Sequence, residues 1–325
     1  MKRSLLLPAL TSLSIAAVAQ PGPLKTLPTW KAGELRQVDT GRIIRFTLDS
    51  VRHEVKVDAS YRLEVVRVGK YGMELEIRTL RTDALEAQSR LKALLGGSGT
   101  GARQEAMDRA LQDLYAKLNG LPVRFEVALD GTVGGQVDAV RTVEKLRPVM
   151  TKLLPGLMED VARRQGTEAG PLSASRIDFL TDSILGAMIF PQSLEINRFM
   201  RTYGLTFPLS GSQRQAVVHR QLLAPWGQVY AELPATVDAG LDRQDAKQAT
   251  MRRVVVRPAA TWVPAMADAA FAQGADTAAC TWAEEAVEEF DRAKAWPLSS
   301  TSDTNFRCGK LRMHITDRAT VKKVD

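Results

Sequence analysis

Two segments carry spacings that suit nucleophile or phosphate chemistry. Ser89-Arg90-Leu91-Lys92 has the Ser-x-x-Lys arrangement, in which a lysine amine about one helical turn from a serine can activate it. It lies within an amphipathic helical pattern, no Lys-Thr-Gly follows anywhere, and Ser302-Asp303-Thr304-Asn305 is not the Ser-Asp-Asn partner. The run Gly96-Gly97-Ser98-Gly99-Thr100-Gly101 has the glycine density of a phosphate loop. It lacks the Gly-Lys-Ser/Thr ending and follows no strand, so it reads as a linker. No Gly-x-Ser-x-Gly elbow exists, since position 100 is Thr. No catalytic residue is assigned, and the chain reads as a non-enzyme.

His53, His219 and His314 each sit in a strand-like run, far apart in sequence. They read as surface or satisfied residues, and only the fold can bring one beside a carboxylate and a hydroxyl. Glu284, Glu285, Glu288 and Glu289 crowd one strand, where alternation sends Glu284 and Glu288 to one face and Glu285 and Glu289 to the other. Such pairs suit calcium. A solvated face balanced by Arg307, Lys310 and Arg312 on a neighbouring strand is the plainer reading, so no metal or cofactor is assigned. Arg163-Arg164 and Arg252-Arg253 are scattered without interleaved aromatics, which speaks against nucleic acid as a partner.

The two cysteines allow a sharper inference. If Asp291 to Lys294 form a turn, Cys280 falls opposite Asn305, and Cys308-Gly309-Lys310 is the next turn at that end of the ribbon. Strand geometry alone therefore brings Cys280 and Cys308 together, and a disulfide is expected in an oxidising compartment.

That compartment is indicated by the first residues. Lys2 and Arg3 precede an apolar stretch from Leu5 to Val18, and Ala17-Val18-Ala19 is a small-x-small cleavage site. Pro8 interrupts the stretch, which falls short of the about 18 continuous apolar residues that a membrane span requires. Residues 1–19 thus read as a signal peptide cleaved after Ala19, with the mature chain periplasmic or secreted and without a span. The composition, 45% hydrophobic and 25% charged with a net charge of +7, is that of an ordinary globular protein. It excludes collagen-like, low-complexity and disulfide-scaffold classes.

Stepping outward from these groups, residues 20–40 read as an extended N-terminal segment and 41–140 as a β-rich half with two helices. Ile44, Phe46 and Leu48 alternate with polar residues, as do Val55, Val57 and Ala59, then Tyr61, Leu63 and Val65, and finally Met73, Leu75 and Ile77. Period two with one polar face predicts antiparallel strands. Helical spacing follows at Ala84, Ala87, Leu91, Leu94 and Leu95, and again at Met107, Ala110, Leu111, Leu114 and Leu118. A strand returns over Val123–Leu129 and turns at Asp130-Gly131. Residues 141–205 read as a helical connector that includes a Ser175-x-x-Asp178 capping box. Residues 206–325 read as a second β-rich half with one helix opened by Thr261. The expected fold is α+β: antiparallel twisted sheets with amphipathic helices packed on one face, in a plan that the two halves share.

The segment Glu289-Phe290-Asp291-Arg292-Ala293-Lys294-Ala295-Trp296-Pro297-Leu298 resembles the D-x-x-x-G-W-P hairpin near the C-terminus of a group of uncharacterised secreted or periplasmic proteins of Gram-negative bacteria. The lead-in from Val229 through Leu233-Pro234 is similar to that group as well. The resemblance covers the last third of the chain, with Ala295 where the group has glycine. It implies an exported compartment and a fold, but no reaction. Physically, Trp296-Pro297 reads as a plug on an edge strand.

Two functional readings stand level. In one, sheet and helices enclose an apolar space for a lipid or similar small molecule, lined by Met107, Leu114, Phe125 and Leu129. In the other, the core is packed and the protein is a structural or interaction component of the envelope, with a protein partner. A hydrolase assembled in space stands a distant third.

Overall fold

The computed structural model describes residues 22–48, 50–83, 122–137, 195–222, 230–263 and 276–324, and part of 144–181. The expectations for the leader, for the helices and linker within 84–118 (Ser89, Lys92, Met107 and Leu114 included) and for the helix beyond Val263 lie outside the described residues.

The strands are β1 (Leu24–Lys25), β2 (Leu35–Leu48), β3 (Val51–Val68), β4 (Gly72–Thr82), β5 (Pro122–Ala128) and β6 (Val133–Val137) in the first half. After the crossover come β7 (Thr206–Phe207), β8 (Gln213–Leu222), β9 (Tyr230–Gln244), β10 (Gln248–Val256), β11 (Thr281–Asp291), β12 (Trp296–Cys308) and β13 (Leu311–Lys323). Eleven of them form one sheet in the order β6-β5-β4-β3-β2-β13-β12-β11-β10-β9-β8. Within it every described neighbour pair is antiparallel. β1 and β7 make a separate two-stranded ribbon.

The order follows from the chain's path. It enters the middle of the sheet at β2, meanders outward to the edge at β6, and crosses over. It then re-enters at the opposite edge, β8, and meanders back to β13, which lies beside β2 from Arg312↔Thr47 to Lys323↔Arg36. The described residues of the crossover are helical within 144–162, 174–181 and 195–199, followed by a 3-10 turn at Met200–Thr202. One helix start departs from its capping box: the Ser173 hydroxyl, and not that of Ser175, accepts the Arg176 N–H at 3.3 Å.

The expectation of an α+β fold with helices roofing each sheet is overturned by this single sheet of eleven strands. The reason lies in what covers the inner face. Leu63 and Val65 of β3, Leu75 and Ile77 of β4, and Phe125 and Val127 of β5 share one buried cluster with Val237 of β9 and Met251 and Val255 of β10. Ile196, Met200, Tyr203, Leu205 and Phe207 of the crossover join the same cluster. The two halves therefore bury their apolar faces in a common core.

Close backbone approaches fix the crossover between them. Gly131 and Gly204 both have positive φ, and a Cβ on either would stand about 2.3 Å from Tyr203 Cβ or 2.5 Å from the Asp130 carbonyl oxygen. Glycine at both positions lets the β5–β6 turn seat against the strap formed by residues 200–205. The strap is tied further by Thr26 N–H to Leu205 O at 3.1 Å and Gly204 N–H to Thr26 O at 2.8 Å.

The edge-plug reading of Trp296-Pro297 is corrected as well. β12 lies inside the sheet between β11 and β13, and Trp296 is a buried member of the large core cluster.

Candidate functional site

β10 and β11 follow period two throughout. Ala249, Met251, Arg253, Val255 and Arg257 face inward on one strand and its extension, and Trp282, Glu284, Ala286, Glu288 and Phe290 do so on the other. Alternation thus places four charged side chains on the buried face. Ala286 lies directly opposite Arg253, midway between the two glutamates. From there the Arg253 guanidinium donates to both, with Nη1 3.0 Å from Glu284 Oε1 and Nη2 3.0 Å from Glu288 Oε1.

Two further arginines converge on Glu284. Arg201, from the crossover's 3-10 turn, donates from Nη1 to Oε2 at 3.1 Å. Arg257 donates from Nη2 to the same oxygen at 3.4 Å, and its Nη2 also lies 3.1 Å from His219 Nδ1 on β8. Thr202 donates its hydroxyl to Glu288. Water is nearly excluded, since the Arg257 side chain is 0% exposed, that of Arg253 6% and that of Glu284 3%.

The electrostatics follow from this enclosure. Burial opposes ionisation of Glu284, but Arg201, Arg253, Arg257 and His219 together hold its carboxyl well below the ordinary range. Burial and the same three arginines push His219 down to about 2, so the imidazole is neutral and its Nδ1 accepts from Arg257. Burial lowers Arg201 to about 10, which still leaves it cationic at neutral pH. Three guanidinium cations thus face two carboxylates. Among the described residues Arg257 Nε and Nη1, Arg201 Nε and Trp282 Nε1 are buried and find no hydrogen-bond partner. The Arg257 guanidinium stands 4.8 Å over the Trp282 ring, against the second apolar cluster of Trp262, Trp282, Phe306 and Met313.

A second charged group lies close enough to act on Arg201. Arg42 of β2 holds Asp317 of β13 at 2.6 Å, and Arg198 reaches Glu195 at 3.1 Å and Asp317 at 3.9 Å. Burial, with Asp317 nearby, pushes Glu195 up to about 7 against the pull of Arg42 and Arg201.

The sequence-derived candidates fall in several places. Cys280 and Cys308 are joined as a disulfide with S–S 2.11 Å. The register differs from the turn-based expectation by three residues: Thr281 pairs with Arg307, which sets Cys280 beside Cys308 and not Asn305. A bulge between Glu289 and Phe290 and a turn over 292–295 account for the difference. Glu284 and Glu288 share one face and Glu285 and Glu289 the other. The first pair is neutralised by Arg201, Arg253 and Arg257, while Glu285 pairs with Arg252 and Glu289 accepts from Ser299.

Phe125 is buried in the large core, and Leu129 is 44% exposed in the turn after β5. His53 stacks on Phe46. His314 Nε2 lies 3.0 Å from Asp303 Oδ1, but the hydroxyl at that point, Thr316 Oγ1, donates to the same carboxylate and not to the imidazole. Among the described residues no group of three or more His, Cys, Asp or Glu side chains is placed to hold a metal ion, and no helix is long and apolar enough to cross a membrane.

Sequence reasoning missed the arginine cluster. Its signal was present, because Arg253 and Arg257 are separated by four residues on β10 and its extension, the same interval as Glu284 and Glu288 on β11. Spacing puts each pair on one face but does not say that the face is closed to water.

No protein-family model matches the chain, and no curated protein sequence does. Among solved structures it is similar to one of lipid–protein interactions in lipovitellin, at 6% identity and a TM-score of 0.40. That likeness spans 91% of this chain and 26% of the lipovitellin chain, so this chain covers about a quarter of its neighbour's length. At this score and identity it assigns neither family nor function.

Proposed function

We propose that this is an exported, non-enzymatic binding protein whose ligand is apolar or lipid-like and lodges between the sheet and the chain that crosses its inner face. One observation carries the reading: an apolar cluster built on Trp262, Trp282 and Phe306 directly adjoins buried arginines whose N–H groups are open. Apolar surface beside unfilled polar donors is the lining that a small-molecule site presents.

Native mass spectrometry of the purified mature protein, followed by lipid extraction, tests this. A bound lipid in stoichiometric amount is the expected result. Protein that arrives lipid-free and takes nothing from phospholipid vesicles overturns it. That outcome favours the envelope structural reading, which draws on a different observation: Val65, Leu75 and Phe207 of the larger cluster are already fully covered by protein.

A further inference from the structure

We infer that the cluster of Arg201, Arg253 and Arg257 is a binding site for a singly charged oxyanion, the carboxylate or phosphate head of an amphiphile whose chain lies on the neighbouring tryptophans. The inference rests on the lipid-like reading above and specifies the chemistry of the head group.

Three observations support it independently of that reading. The first is charge: among the described residues the direct ion-pair partners of Arg201, Arg253 and Arg257 are Glu284 and Glu288, with His219 neutral. The adjoining group of Arg42, Arg198, Glu195 and Asp317 adds cations and acids in equal number, so it does not cancel the excess. A buried charge without a counter-charge is costly, and one monoanion removes the imbalance.

The second is hydrogen bonding. Arg257 Nε and Nη1, Arg201 Nε and Trp282 Nε1 are all donors, and all are buried without an acceptor among the described residues. A buried unfilled donor costs about 1–3 kcal/mol, more when it is charged. Four of them around one guanidinium cluster call for an acceptor, and a carboxylate or phosphate supplies several lone pairs at once. A single water offers two lone pairs and no charge.

The third is placement. Arg257 and Arg201 both bond Glu284 Oε2, so their open N–H groups belong to one locality, and the Trp282 ring beneath Arg257 continues into Trp262 and Phe306 at centroid distances of 5.6 and 5.9 Å. Head-group donors and an aromatic floor therefore meet at a single residue. The site is closed in this structure, so binding requires the covering chain to part. That slows association without altering which head group is preferred.

Calorimetry with dodecanoate, dodecanol, acetate and inorganic phosphate tests the inference on the intact mature protein. Dodecanoate is expected to bind at least about tenfold more tightly than dodecanol, the ratio that one charge-assisted hydrogen bond supplies. Arg257→Met should bring the two affinities together. Arg201→Lys, which keeps the charge but removes Nε, should lower the ratio in part. If wild-type protein binds acid and alcohol alike, the anion site is overturned and the lipid reading stands. If neither chain compound binds but acetate or phosphate does, in an Arg257-dependent manner, the anion site stands and the lipid reading falls. If no anion binds better than its neutral counterpart, the site is overturned.

Discussion

The indole of Trp30 lies parallel to that of Trp296, with ring centroids 3.9 Å apart and planes 13° from coplanar. The stack joins the segment before β2 to the first residue of β12, at the level of the strap. Trp30 Nε1 and the Tyr203 hydroxyl both donate to the Ala295 carbonyl at 2.7 Å, Trp296 Nε1 donates to Glu34 at 2.6 Å, and Arg36 covers the Trp296 ring at 4.5 Å. One backbone carbonyl and one indole thus hold three distant parts of the chain. Trp30→Ala is expected to destabilise the protein by about 3–5 kcal/mol through lost burial and stacking. Urea denaturation gives the value, and near-ultraviolet dichroism should lose the signal of the indole pair. A cost below 1 kcal/mol, the scale of a surface substitution, would sink the assignment.

Ala295 adopts φ 54°, the left-handed region that disfavours a side chain. Asp291 Oδ1 accepts the N–H groups of Ala293 and Lys294 at 3.0 Å each and shapes the turn that imposes this conformation. Ala295→Gly should therefore stabilise by about 0.5–1 kcal/mol, the relief of strain exceeding glycine's entropy in the unfolded chain. The urea midpoint should rise at constant slope. A fall would show that residue 295 is not left-handed in solution.

Glu284 links the stability of the arginine cluster to pH. Against the opposing effect of burial, the three arginines hold its carboxyl well below the usual 4.5 of a glutamate in the folded protein, so its contribution to stability is fully present above about pH 4.5 and is lost progressively as pH falls toward the lower folded-state value. Glu284→Gln at pH 7 leaves three buried guanidiniums short of an acceptor and is expected to cost about 3–5 kcal/mol. Denaturation curves across pH should also show a shallower acid limb for the variant than for wild type; identical limbs would mean that Glu284 is not the group responsible.

The disulfide ties β11 to β12 across a separation of 28 residues. Replacing both cysteines with serine should lower stability by roughly 3 kcal/mol on the chain-entropy account. The intact mass of the exported protein should rise by two hydrogens on reduction, whereas an unchanged mass would mean that the thiols are free.

Local pattern alone determined a good deal. Alternation at Ile44–Leu48, Val55–Val65 and Met73–Ile77 marked strands that are present, because a pleat sends successive side chains to opposite faces wherever it occurs. The same rule sorted the four glutamates of β11 correctly and brought the cysteines to neighbouring positions. Alternation is silent over Ser299 to Asn305, where both faces are polar, and there only the pairing expected across the turn marks the strand that forms the middle of β12. It also missed the register by three residues, two from the placement of the turn and one from the bulge at Glu289/Phe290.

What only the tertiary structure decided was which surface is sealed from water. Arg253 and Arg257 look solvated along their strand. They are buried where His219 of β8 meets Arg257 and where Arg201 arrives from the crossover to share their glutamate. That enclosure, assembled from residues 27 to 83 positions apart, turns ordinary surface charges into a cluster with unfilled donors.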